Sequence, residues 1–266
     1  LVCRGSLLAA MAIGMPIAYA LLASGVALMI QLNTFDAQIL AQNLIEGANS
    51  FPLLAVPFFM LAGEIMNVGG LSRRIVNLAL ALIGHVRGGL GFVVILAAVL
   101  MASLSGSAVA DTAALAALLL PMMVAAGHNK PRAGGLIACA GIIAPIIPPS
   151  IAFVIFGVAA NVSITKLFLA GIFPGILMAV SIAIAWYIVA KRENVVPPPK
   201  STTAQKLAAL RSSLWALFLP VIVLVGLKFG IFTPTEAAVV AAVYALFVAT
   251  VVYREMHIRQ LYEVFV

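Results

Sequence analysis

The sequence predicts an all-α polytopic membrane protein, and three observations carry that expectation. Hydrophobic residues make up 64% of the chain and charged residues 9%, with a mean hydropathy of +1.21, whereas a soluble domain of this size needs far more charge over its surface. The apolar runs reach membrane length. Residues 88–126 hold one charge, Asp111, and residues 133–165 hold none; roughly 20 helical residues cross a hydrocarbon core of about 30 Å. Basic residues sit singly or in pairs at the ends of these runs. Helices are the default because lipid offers no partner to an unpaired backbone group, and the 14 prolines and 21 glycines are tolerated in membrane helices.

Taken in order, a first span is predicted over 7–30, too long and without a clean cleavage site for a signal peptide. An amphipathic link (31–50) and a second span from Phe51 to about Met66 follow. Residues 70–84 place apolar positions at helical spacing, with Arg73, Arg74 and Asn77 opposite, a pattern for a helix lying along the interface. Segments 88–104 and 108–126 are joined by SLSGS (103–107), and 133–160 is interrupted by GIIAPIIPPS (141–150). A span over 164–190 leaves through Trp186, Tyr187, Lys191 and Arg192, an aromatic and basic exit. The polar stretch 191–205 reads as an exposed linker, 206–213 as a short interfacial helix, and 214–229 and 236–252 as two more spans joined by GIFTPTEA. The end, 253–266, reads as the start of another element.

The net charge of +7 is no sign of nucleic acid, because no basic stripe or aromatic interleaving is present. It reads as topology. With 191–213 in the cytoplasm, 13 of the 15 Lys and Arg residues fall inside and only Lys166 and Lys228 outside, in keeping with the positive-inside rule. That count is the same whether 88–126 is a re-entrant hairpin or two full spans. Cys3 and Cys139 match no metal or redox spacing and read as inert packing residues. His85, His128 and His257 form no ligand pair and read as interfacial; Glu64 reads as facing either the bundle interior or the interface.

Two stretches carry chemistry. In SLSGSAVAD, Ser103, Ser105 and Ser107 flank Gly106 between apolar half-helices, with Asp111 one turn on. A helix broken within the membrane frees carbonyls at one end and N–H groups at the other, and such ends hold cations and anionic substrates. An intramembrane carboxylate is a functional candidate by default. The same residues also suit close helix packing, with Asp111 capping the second half-helix. In GIIAPIIPPS, Pro145, Pro148 and Pro149 remove three backbone donors and forbid a continuous helix; Gly141 allows close approach, and Ser150 opens the following half. A packing kink would use the same residues.

At these motifs the chain resembles the large membrane (DctM-like) subunit of tripartite ATP-independent periplasmic (TRAP) transporters. FPLLAVPFFMLAGEIMNVGG (51–70), GHVRGGLG (84–91), SGSAVADTAAL (105–115), GIIAPIIPPSI (141–151), LFLAGIFPG (167–175) and GIFTPTEA (230–237) are similar to that family in its order, and most similar to the subgroup for 2,3-diketo-L-gulonate. The resemblance implies no enzyme but a multi-pass inner-membrane symporter with Na⁺ as coupling ion and no other cofactor. It implies a small membrane (Q-type) subunit, a periplasmic substrate-binding protein and an organic-acid substrate: a sugar acid, a C4-dicarboxylate or sialic acid. Family members are elevator-type transporters of two inverted repeats, each with a re-entrant hairpin and a broken helix. Carried onto this chain, Ser103, Ser105, Gly106, Ser107, Gly141 and Pro145 hold Na⁺, and Ser107, Asp111, Pro149 and Ser150 meet the substrate. The implied organisation is scaffold spans and an interfacial arm (1–86), transport hairpin and broken helix (87–160), a connecting span (161–192), a cytoplasmic linker (193–213) and the start of a second repeat (214–266). The chain corresponds to about three-fifths of such a transporter, so the second cation site and half of the substrate site are expected to be missing and the chain alone to be inactive. The rival readings are a channel-like or structural membrane protein whose breaks serve packing, and an intramembrane enzyme, for which no nucleophile pair is present.

Overall fold

A computed structural model describes residues 2–193, 195, 198–256 and 260, and among them every regular element is helical. It divides into two units, residues 1–50 and 51–266.

In the first unit, α1 (Val2–Ala12) and α2 (Ile17–Gln31) pack on each other, followed by α3 (Ala37–Ala48). The expected single span over 7–30 is therefore two helices. Gly14, at φ +84°, and Pro16 end one and start the next, and neither helix alone reaches crossing length. Asp36 caps α3 by accepting the N–H groups of Gln38 and Ile39.

The second unit opens with a 3₁₀ turn (Phe51–Leu54) and α4 (Ala55–Val68), as the apolar run requires. α5 (Leu71–Ile83) buries Leu71, Ile75, Val76, Leu78 and Ala79 on one face, the stripe read from the sequence. α6 (Gly89–Ser105) and α7 (Ala108–Ala125) form an antiparallel hairpin, and α8 (Lys130–Gly141) and α9 (Ile151–Ala159) are separated by a non-helical stretch at 142–150. α10 (Ile164–Arg192) is followed by α11 (Thr203–Lys228), which absorbs both the interfacial helix expected at 206–213 and the span after it. A capping box between Thr202 and Gln205 starts it, and no breaker intervenes before Pro220. α12 (Pro234–Phe247) begins in a second capping box, Thr233 with Glu236, and ends in a π-helical turn (Val248–Val252). Among the described residues five segments can cross a membrane: 51–68, 108–125, 164–192, 203–228 and 234–252.

The second unit packs as one compact body, in which α5 bridges two sets of helices by lying along both α11 and α6. In the first set α12 lies along α4, and α11 along α5. Arg74 joins them, its guanidinium 2.6 Å from Glu255 and 3.7 Å above the Tyr253 ring, while its carbonyl accepts the Ser213 hydroxyl at 2.8 Å. The second set, α6 to α10, with α6 also against α4 and α5, packs around the hairpin. Its base is clasped by the end of α10. The Trp186 indole N–H donates to the Gly88 carbonyl at 2.8 Å, and its ring occupies the space a side chain at Gly91 would take. On the other strand of the hairpin, His128 lies 2.7 Å from Glu193, which also takes Arg132 at 3.1 Å. His128 is thus buried in an ion cluster and against Trp186, among the basic residues at that end of α10. Cys3 and Cys139 are free and exposed, so neither is a packing residue. Glu64 lies on the exposed face of α4. His257, Arg259 and most of the terminal element lie outside the described residues.

Candidate functional site

The tip of the hairpin is made by its sequence. Gly106 ends α6 in the left-handed conformation, φ +61°, which glycine adopts without steric cost. Ser107 then caps α7, its hydroxyl accepting from Ala110 N–H at 3.4 Å. The cap is therefore Ser107 and not Asp111. Asp111, 1% exposed, turns back across the tip: the Ser105 hydroxyl donates to its Oδ1 at 2.5 Å, and Ser107 N–H donates to Ser105 Oγ at 3.2 Å. Its second oxygen, Oδ2, is buried and has no hydrogen-bond partner. A buried acceptor left so is uncommon and calls for an explanation.

The break between α8 and α9 meets this tip. Ser150, fully buried, caps α9 by accepting Phe153 N–H at 3.3 Å, and its own hydroxyl donates to the Pro145 carbonyl at 2.6 Å, holding the proline stretch in a loop. The Pro148–Pro149 bond is cis. A side chain at Gly106 would overlap the Pro149 carbonyl and press on Ser150 Cα; one at Gly141 would overlap the Thr112 hydroxyl, and one at Gly63 would meet Ser105. Three glycines thus let α4, the hairpin and the broken helix approach closely, Gly106 against the backbone of the break itself.

The ends of α6 and α8 and the starts of α7 and α9 consequently converge, bringing two helix C-termini, each with partial negative charge, beside two N-termini of partial positive charge. Of the expected site residues, Ser105, Gly106, Ser107, Asp111, Gly141, Pro145, Pro149 and Ser150 lie in or against this cluster. Ser103 does not face it. Two residues before Ser105 it sits on the opposite side of α6, donates to the Leu100 carbonyl at 2.7 Å, and lines a separate crevice with Pro148, Ile172 and Leu217. Thr112 is an addition. Its hydroxyl donates to Ala108 O at 2.6 Å, one turn back, and stands against Gly141; its place directly after Asp111 was the available signal. The oxygens are hard donors, of the kind an alkali cation takes, and the unpartnered Oδ2 is the group that such a cation or a substrate donor would satisfy.

An all-helical, multi-pass membrane protein with two interrupted helices meeting tip to break is what fold and site define. The sequence model of the DctM component of the tripartite ATP-independent periplasmic transporters matches residues 5–266. The chain belongs to that family, which is one of transporter components and not of enzymes. It is 59% identical over its whole length to the 2,3-diketo-L-gulonate TRAP transporter large permease protein YiaN of Escherichia coli K12, covering 63% of that protein. It is 40% identical to the sialic acid TRAP transporter large permease protein SiaM of Vibrio cholerae, over 94% of this chain and 59% of that one. To the C4-dicarboxylate TRAP transporter large permease protein DctM of Pseudomonas aeruginosa it is 40% identical, over 89% and 56%. The chain spans about three-fifths of the length of these relatives.

Proposed function

We propose that this chain forms part of the membrane permease of a Na⁺-coupled TRAP transporter that imports an organic acid, in the bacterial inner membrane, with a small membrane subunit and a periplasmic binding protein that delivers the substrate. The observation that carries the reading is the junction of Gly106 with Pro149 and Ser150: four helix ends and the Asp111 carboxylate converge on one point, the arrangement that transporters built from broken helices use to hold ion and substrate. Ser105, Ser107, Asp111 and the carbonyls at 141–145 serve the cation, and the N-termini of α7 and α9 face the substrate carboxylate. The 59% identity to a 2,3-diketo-L-gulonate permease favours a sugar acid among the three substrate classes its relatives carry.

The hairpin is re-entrant in this reading. Both of its ends meet the same end of α10, Arg87 donating to the Lys191 carbonyl at 3.4 Å and His128 binding Glu193. Its tip stops at Pro149, beyond which α9 runs nine more residues, about 14 Å. That overhang supports a tip that stops inside the bilayer. A hairpin of this kind, clasped to its own helices, suits the moving body of an elevator, with α5 as an arm of the frame.

Uptake of labelled 2,3-diketo-L-gulonate, sialic acid and a C4-dicarboxylate by the full-length permease with its partner proteins, in proteoliposomes, tests this. Uptake is expected only with a Na⁺ gradient, and Asp111→Asn and Ser105→Ala should each lower it about tenfold or more, the usual loss when support of a bound ion is removed. Undiminished uptake with K⁺ in place of Na⁺ would sink the proposal.

A further inference from the structure

Outside the hairpin site, the molecule carries a groove of about 310 Å³ between α8 and α10. Its lining follows one face of each helix: Arg132, Gly135, Leu136 and Cys139 on α8, and Ile182, Trp186 and their neighbours on α10. Leu136 and Trp186 form a buried floor, while Gly135 and Cys139 lie open, and a Cβ at Gly135 would meet no atom within 4 Å. Small residues have thus been placed where a long side chain would close the groove. Its walls are apolar over the stretch from Gly135 to Cys139 and hold no carboxylate.

One end of the groove is different in kind. Arg132, 59% exposed in its side chain, stands there with one nitrogen 3.1 Å from Glu193 and its remaining guanidinium donors facing outward. Arg192 lies three residues past Val189, on the same helical stripe. Lys130 and Lys191 flank them, and Lys130, Lys191 and Arg192 have no ion-pair partner among the described residues. Glu193, held between His128 and Arg132, is the carboxylate at this end. Moreover, Lys130 and Arg132 stand in the first turn of α8, which holds no acidic residue, although a helix start favours negative charge. A surplus of cations at a helix N-terminus is relieved by an anion from outside the chain. The basic end is also the cytoplasmic end by charge count, at the depth of lipid headgroups.

We infer that this groove binds an anionic phospholipid, with an acyl chain laid along Leu136, Cys139 and Ile182 and the phosphate held by Arg132 and Arg192. The apolar trough supplies a path for a chain and the charged end selects the headgroup, as basic pockets between membrane helices do. Because Trp186 forms both the floor of the groove and the tie to the hairpin base, a bound lipid braces that clasp.

Native mass spectrometry of the full-length protein, titrated with phosphatidylglycerol or phosphatidylcholine of identical acyl chains, reads the site. Phosphatidylglycerol is expected to bind at least about tenfold more tightly. Arg132→Gln and Arg192→Gln should each reduce that preference about fivefold, and Arg192→Gln leaves the Glu193 cluster intact, so its loss is not one of folding. Gly135→Leu, filling open space, should weaken both lipids together, and Lys228→Gln, at the other end of its helix, should change neither. Equal affinity for the two headgroups, or full phosphatidylglycerol binding in Gly135→Leu, overturns the inference.

Discussion

Gly106 is the residue on which the geometry turns. Its left-handed backbone and its contact with the Pro149 carbonyl leave no room for a methyl group, so Gly106→Ala combines a left-handed alanine, costing about 1–2 kcal/mol, with a displaced helix break. The expected result is a lower melting temperature of the full-length protein in detergent. Gly134→Ala, where a Cβ meets nothing within 4 Å, should be neutral or raise stability by up to about 1 kcal/mol, and the pair separates a backbone requirement from a general intolerance of change. Glu193 gives a second expectation at this scale. Burial pushes its carboxyl up, but the hydrogen bonds and positive charges of His128 and Arg132 outweigh that and hold it below the usual carboxylate range. A lowered value means the unfolded chain takes up this proton first as pH falls. The stabilisation is complete above about pH 4.5, the ordinary value, and is lost as pH drops through the lowered one. The melting temperature of the wild type should therefore decline below pH 4.5 more steeply than that of Glu193→Gln.

At the scale of elements, the sequence was most legible where local chemistry decides. Ser107, Ser150, Ser163, Thr202 and Thr233 all cap the helices that follow them, and three prolines in five residues could not continue α8. It was less legible where two local signals compete. Around Gly14 and Pro16 the hydropathy of the run masks a break, while the polar residues Lys206, Arg211 and Ser212 imply a boundary in α11 that nothing in the backbone enforces. Contacts set by tertiary structure were not legible at all. Ser105 and Asp111 are six apart, a spacing that joins them only because the chain reverses at Gly106. His128 and Glu193 are 65 apart and meet only because α10 runs back along the hairpin. The opposite facing of Ser103 follows from the helix repeat and was readable from its spacing to Ser105.

For the molecule as a whole, the proposed elevator movement requires α6 to α10 to slide against α4, α5 and α11, with which α6 is in contact. If α6 to α10 travel as one body, a bismaleimide bridge between Arg87→Cys and Lys191→Cys should leave uptake unaffected, while a bridge between Leu100→Cys and Val221→Cys, which line one crevice between α6 and α11, should abolish it. Both pairs would be built on a background with Cys3 and Cys139 replaced by serine, and uptake with and without reducible linkers is the measurement. Loss of uptake from the first bridge would show that the hairpin shifts against α10.

The Trp186 wedge has one more consequence. Since it sits under the Gly88 and Gly91 backbone while His128 and Glu193 fasten the opposite foot, the hairpin cannot swing like a door on a flexible sill. Any opening at its far end must come from bending along its own shaft or from a shift of its entire foundation, and the stiffness of that footing sets how far a displacement at one membrane face is felt at the other.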